Sequence, residues 1–91
     1  MLVTLEEMKQ YLRVDYDDDD FLIHTFMQSA EKLCMDVMRT EDINVLAKDE
    51  NAKTSVMYAT AYLYEHREEA DHHALTLTLR SLLFGGRREG F

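Results

Sequence analysis

The densest group of potential metal ligands is Asp15-Tyr16-Asp17-Asp18-Asp19-Asp20. Asp15, Asp17 and Asp19 match positions 1, 3 and 5 of a calcium-binding helix–loop–helix. Position 6, where the turn needs glycine, would be Asp20. Position 12, where a bidentate Glu belongs, would be Phe26. The run is therefore read as a helix cap and a solvated acidic face, carried by Asp17, Asp18, Asp19 and Asp20, with no metal.

A second candidate joins His66, His72 and His73 with Glu65, Glu68, Glu69 and Asp71. A zinc-binding helix sets two ligands four residues apart with a third converging. Glu65 and Glu69 have that spacing, but no His pair does, and the adjacent His72 and His73 point apart on any regular element. Cys34 as a nucleophile would need a base and an electropositive setting, yet it falls on an apolar stripe. Ser29, Ser55 and Ser81 sit mid-helix, away from any predicted oxyanion donor. The tyrosines between 58 and 64 lack the basic neighbours that base stacking on nucleic acid needs. No catalytic constellation and no cofactor are expected.

These side chains are positioned by helices. Thr4 and Glu7 have capping-box spacing, and Leu5, Met8 and Leu12 form one stripe with Tyr11 at its edge, which predicts a short helix over about 4–13. Phe21, Leu22, Phe26, Met27, Ala30, Leu33, Cys34, Val37 and Met38 recur every three or four residues. They predict a long amphipathic helix over about 18–39, with an Asp side chain capping it. Residues 40–51 read as a connecting loop with room for one helical turn, anchored by Ile43, Val45 and Leu46. The next helix, about 50–68, carries Ala52, Val56, Ala59, Leu63 and His66 on one face. Met57, Tyr58, Ala61, Tyr62 and Tyr64 make much of the rest apolar, so a second chain is expected to bury part of it. The alternation Leu75-Thr76-Leu77-Thr78-Leu79 predicts an extended lead-in to a short last helix over about 78–84, stopped by Gly85-Gly86. The expected fold is thus all-α, a small bundle of about four helices (one short, two long, one short). The domain spans 1–84, followed by a flexible tail over 85–91.

Composition narrows the function further. The chain has 91 residues, 46% hydrophobic, with net charge -8. Residues 1–20 carry two basic and seven acidic side chains, whereas residues 51–91 carry five of each. So acidic a chain is poorly suited to coating DNA through its phosphates. All three glycines fall in the last seven residues, which excludes a glycine-rich phosphate loop before a helix. A lone cysteine forms no intrachain disulfide and suits a reducing cytosol. The start lacks the basic region and longer apolar run of a secretory signal. The longest apolar-rich stretch, 56–64, is under half of a membrane span, so a soluble protein is expected, with no membrane partner.

The opening Val3-Thr4-Leu5-Glu6-Glu7-Met8-Lys9-Gln10-Tyr11-Leu12-Arg13-Val14-Asp15 resembles the "TLEEAKxHLRVD" start of the small helical head–tail connector proteins of tailed bacteriophages and prophages. Asp19-Asp20-Phe21-Leu22-Ile23 is similar to their "DDxLI" helix opening. Tyr64-Glu65-His66-Arg67-Glu68 is similar to their "YENRE" string, and Leu79-Arg80-Ser81-Leu82-Leu83 to their closing helix. Where that family often ends "LLxPYR", this chain has Leu83-Phe84-Gly85-Gly86-Arg87-Arg88.

The resemblance implies a non-enzymatic virion protein of the head–tail connector, made in the host cytoplasm during assembly or from a prophage. It implies a homo-oligomeric ring under the portal that extends the DNA channel and docks the next connector or tail-completion protein. DNA would pass without sequence-specific binding, and a negative wall would keep passage from becoming adhesion. Subunit contacts are expected at Met57, Tyr58, Tyr62, Tyr64 and Arg67, and partner docking at Arg87, Arg88 and Phe91. Asp17, Asp18, Asp19 and Asp20 are the candidate channel face. The alternative is a small acidic helical inhibitor that mimics DNA charge or caps a basic host protein as a monomer or dimer.

Overall fold

The computed structural model describes residues 2–67 and 71–84. Every regular element among them is a helix: α1 (Leu5–Leu12), α2 (Asp20–Val37), α3 (Ile43–Ala47), α4 (Ala52–Glu65) and α5 (His72–Phe84). α2 and α4 form the central pair. α1, α3 and α5 each pack against both, and α1 and α5 do not touch.

The helix boundaries follow from local chemistry. Thr4 Oγ1 accepts from the Glu7 amide at 3.1 Å, and the Glu7 carboxylate accepts from the Thr4 amide at 3.0 Å. This is the expected capping box, satisfying two amides that α1 would otherwise leave bare. α1 and α2 end alike. Arg13 and Arg39 adopt the left-handed conformation, with φ of 62° and 58°. The following amides reach back, Val14 to Lys9 O at 2.9 Å and Thr40 to Met35 O at 3.0 Å. Both turns are Schellman stops with arginine where glycine is usual.

The start of α2 differs from expectation. Asp19 occupies the N-cap position, but its side chain makes no capping bond. Its carboxylate instead accepts from the Tyr64 hydroxyl at 2.6 Å. A tertiary partner has displaced the local one. Within 40–51 the single helical turn is α3, capped by Asp42, whose Oδ1 accepts from the Asn44 amide at 2.9 Å. It buries Leu46.

α5 corrects the reading of an extended lead-in. The helix begins at His72, capped by Asp71, whose Oδ1 accepts from the Ala74 amide at 3.0 Å. The Leu-Thr alternation is helical because Leu75, Leu79 and Leu83, four residues apart, form the buried stripe. Leu77 faces out, 52% exposed. Packing on α2 and α4 decides the period. The five-residue pattern alone could not.

The core joins Val3 and Met8 from the first segment with Ile23, Met27, Ala30, Cys34 and Val37 of α2. Leu46, then Ala52, Val56, Ala59 and Leu63 of α4, and the three leucines of α5 complete it. Small buried residues on the central pair, Ala30 and Cys34 on α2 and Ser55 and Ala59 on α4, suit the close packing of the two helices. Thr60 is buried and donates to Val56 O at 2.7 Å, whereas the buried Ser55 Oγ has no partner. His66, expected on the buried face of α4, is exposed just past the helix end. None of the described helices is long and apolar enough to cross a membrane.

Candidate functional site

The site is built from the outer faces of α1 and α4. Their seam is pinned at one end by an ion pair, Lys53 Nζ to Glu7 Oε2 at 2.6 Å. The Lys53 ammonium, with the Thr4 amide, holds the Glu7 carboxyl below its ordinary range. Farther along both helices the seam opens into a cleft of about 410 Å³ lined by Tyr11, Tyr58, Ala61, Tyr62, Glu65 and His66. The spacing explains the grouping. Tyr58, Ala61, Tyr62 and Glu65 recur at three and four residues, so one face of α4 carries them all.

Within the cleft Tyr62 and His66 stack, with ring centroids 4.3 Å apart and planes 19° from parallel. His66 Nδ1 also lies 3.0 Å from Tyr62 O. The Tyr62 hydroxyl accepts from the Asp71 amide at 3.0 Å, just ahead of α5. Tyr62 is therefore fixed by the fold. Tyr11, 50% exposed, and Tyr58, 36% exposed, offer ring surface to solvent.

The other candidate contact residues lie elsewhere. Met57 and Tyr64, seven apart, follow a different stripe and pack in part against the core. Tyr64 is the hub of a polar clasp. Besides its bond to Asp19, its hydroxyl lies 3.5 Å from that of Tyr16. Arg67 donates to Tyr64 O at 2.6 Å, and its guanidinium sits 4.8 Å from the centre of the Tyr64 ring. The Asp19 carboxylate, followed by the Tyr16 hydroxyl, pushes the Tyr64 phenol well above its ordinary pKa. So the five residues expected at a subunit contact divide into two groups. Tyr58 and Tyr62 share the cleft, whereas Met57 and Tyr64 lie on a separate flank of α4 and Arg67 lies just past its end.

The acidic run is also divided. Lys9 Nζ lies 2.8 Å from Asp17 Oδ1 and 2.7 Å from Asp20 Oδ1. Only the Asp17 contact has hydrogen-bond alignment, so the buried Asp20 Oδ1 has a counter-charge without a bond. The Asp17 bond, then Asp20, raises the Lys9 pKa, and Lys9 lowers that of Asp17. With Asp19 taken by Tyr64 and Asp20 partly buried, Asp17 and Asp18 are the exposed members of the four, and of these two Asp17 pairs with Lys9. The run thus ties α1, α2 and α4 together at one corner.

Cys34 is fully buried, and burial pushes its thiol up to about 12, with Glu31 adding to the effect. That setting suits core packing and opposes thiolate chemistry. Arg87, Arg88 and Phe91 lie outside the described residues.

Of the six cleft residues, sequence reasoning placed only Tyr58 and Tyr62 at a contact; Ala61 counted only as apolar surface and Glu65 only in the rejected metal cluster. Tyr11 looked like the margin of a core stripe, and His66 looked buried. The recurrence of aromatics at the outer edge of both helices was the available signal. Nothing in the sequence indicated that Tyr16 and Asp19 would meet Tyr64.

The family model described as phage gp6-like head-tail connector protein matches residues 2–85. No curated protein and no solved structure matches the chain. The matched region takes in all five helices and both sides of the cleft. The chain belongs to the phage gp6-like head-tail connector family.

Proposed function

We propose that this head-tail connector subunit assembles as a homo-oligomeric ring below the portal, extends the DNA channel and docks the next head-completion or tail component. The carrying observation is the cleft at the α1–α4 seam. Tyrosine rings exposed together at a helix seam, on a helix whose core face of Ala52, Val56, Ala59 and Leu63 is already buried, form a surface suited to another protein. The chemistry is that of contact, without catalysis. The acidic corner, led by Asp18 beside Asp17, Asp19 and Asp20, is proposed to face the DNA path. There a negative potential repels phosphate and lets DNA slide past. Arg87, Arg88 and Phe91 are proposed to contribute to docking, since arginine and aromatic side chains are enriched among binding hot spots.

The test is light scattering on the purified protein, alone and mixed with its portal, with electron microscopy of any assembly. The expected product is a ring of defined size that binds the portal. A monomer or dimer that ignores the portal and binds a basic host protein would instead support the acidic-inhibitor reading.

A further inference from the structure

The chain itself carries a segment whose chemistry matches the cleft. Glu65 is exposed at the cleft rim, and no described basic group pairs with it. Beside it are the faces of Tyr11 and Tyr58. Such a site favours a guanidinium, which can lie over a tyrosine ring while pairing with a carboxylate. It also favours an aromatic ring, which gains from packing on other rings. Arginine over tyrosine already occurs in this fold, with Arg67 on Tyr64. The sequence beyond α5 supplies both groups together: Arg87-Arg88-Glu89-Gly90-Phe91.

We propose that the cleft formed by Tyr11, Tyr58, Tyr62 and Glu65 receives the 87–91 segment of a second copy of this chain. The inference rests on the self-assembly in the connector reading and names the contact that would carry it.

Geometry favours a second copy over the chain's own segment. α5 ends beside the start of α4, where Asn51 Nδ2 donates to Leu82 O at 2.9 Å. The cleft is on the later half of α4. At 1.5 Å per residue, Tyr62 is about 16 Å and Glu65 about 21 Å farther along the helix than Asn51. Arg87, three residues past Phe84, reaches about 10 Å, and Phe91, seven past it, reaches about 24 Å only when the whole segment is fully extended. The cleft also lies at the α1 seam of α4, and α1 does not touch α5. A segment returning to its own cleft would have to run extended along α4 and around it. A neighbour's segment meets neither limit. The contact joins two different surfaces at opposite ends of α4, so it is head-to-tail. Repeated with a closing rotation, it yields a ring.

Cross-linking tests this in the full-length chain. Ala61→Cys is made in one preparation and Gly90→Cys in another, and the two are mixed under mild oxidation. Cys34, fully buried, serves as the unreactive background. A disulfide-linked heterodimer is expected. Adding Arg87→Glu and Arg88→Glu to the Gly90→Cys chain should lower its yield at least tenfold, with the circular dichroism unchanged. Glu65→Arg in the Ala61→Cys chain should restore the yield with that charge-reversed segment. No heterodimer, a yield indifferent to charge reversal, or an intrachain link in a chain carrying both cysteines at high dilution would each overturn the proposal. The two readings fail separately. Rings that form on the portal without this cross-link remove the docking contact and leave the connector role. A charge-dependent heterodimer without any ring on the portal does the reverse.

Discussion

Tyr64, in the last turn of α4, donates its hydroxyl to Asp19 at the head of α2 across 2.6 Å. The two residues are 45 apart in sequence, and their bond closes the corner where the acidic run meets the end of α4.

Removing that bond with Tyr64→Phe should cost about 1 kcal/mol at pH 7, since the site is half exposed. The pH dependence has a definite sign. The folded-state pKa of Tyr64 is raised, so the folded protein keeps a proton that the unfolded chain releases above about pH 10. Its contribution is intact below pH 10 and is lost as the pH rises further. Urea melts at pH 7 and above pH 10 should show a shallower alkaline decline in the variant than in wild type. Identical declines would mean that this bond does not govern the tyrosine's titration.

Cys34 should resist a thiol reagent at pH 8 in the native protein and react fully once unfolded. With the thiol at about 12 in the fold against about 8.5 in an unfolded chain, its protonated form favours folding. That contribution is complete below about pH 8.5 and falls away toward pH 12. A colorimetric thiol assay with and without denaturant checks the first point. Rapid native labelling would mean that the α2–α4 seam opens readily.

Leu79→Ala should destabilise the protein by about 2–5 kcal/mol, as for other fully buried leucines. Leu77→Ala, on the outer face of α5, should stay within about 0.5 kcal/mol. Thermal or urea unfolding distinguishes the two. Equal losses would contradict the helical register of residues 72–84.

Tyr58→Ser should weaken self-association at least tenfold, or about 1.4 kcal/mol, with little effect on the melting temperature. Tyr62→Ser should lower the melting temperature as well, because it also removes the acceptor for the Asp71 amide and the stack on His66. Sedimentation and thermal melts on the same samples test the contrast. If both variants assemble like wild type, the α1–α4 cleft is not a subunit contact.

What the sequence made legible was local or strongly periodic. The Thr4–Glu7 box needs only four residues, and the apolar repeat from Phe21 to Met38 covers five turns, so both stood out. α5 was misjudged because the alternation from Leu75 to Leu79 fits a strand as well as one side of a helix. Only the buried positions of Leu75, Leu79 and Leu83 against α2 and α4 resolve it. The excess apolar surface of α4 was visible, but its division between two sides was not. That division depends on Tyr11 and Tyr16 arriving from the first twenty residues, and such long-range partners leave no mark in local spacing. The same applies to Asp19, whose carboxylate had a capping role by propensity and took a tyrosine by proximity.

The arginine stops at positions 13 and 39 bear on how far this scaffold could be hardened. A side chain with a Cβ in the left-handed region costs roughly 1–2 kcal/mol. Glycine would relieve that strain but add freedom to the unfolded chain, which takes back about 0.4–1 kcal/mol. It would also remove a cation from the negative end of each helix, worth about 0.3–1 kcal/mol. The opposing effects nearly cancel. An engineer who exchanges these arginines for the usual glycine should therefore gain little thermal tolerance, and the folds of α1 and α2 are already close to their optimum at the two points that look most improvable.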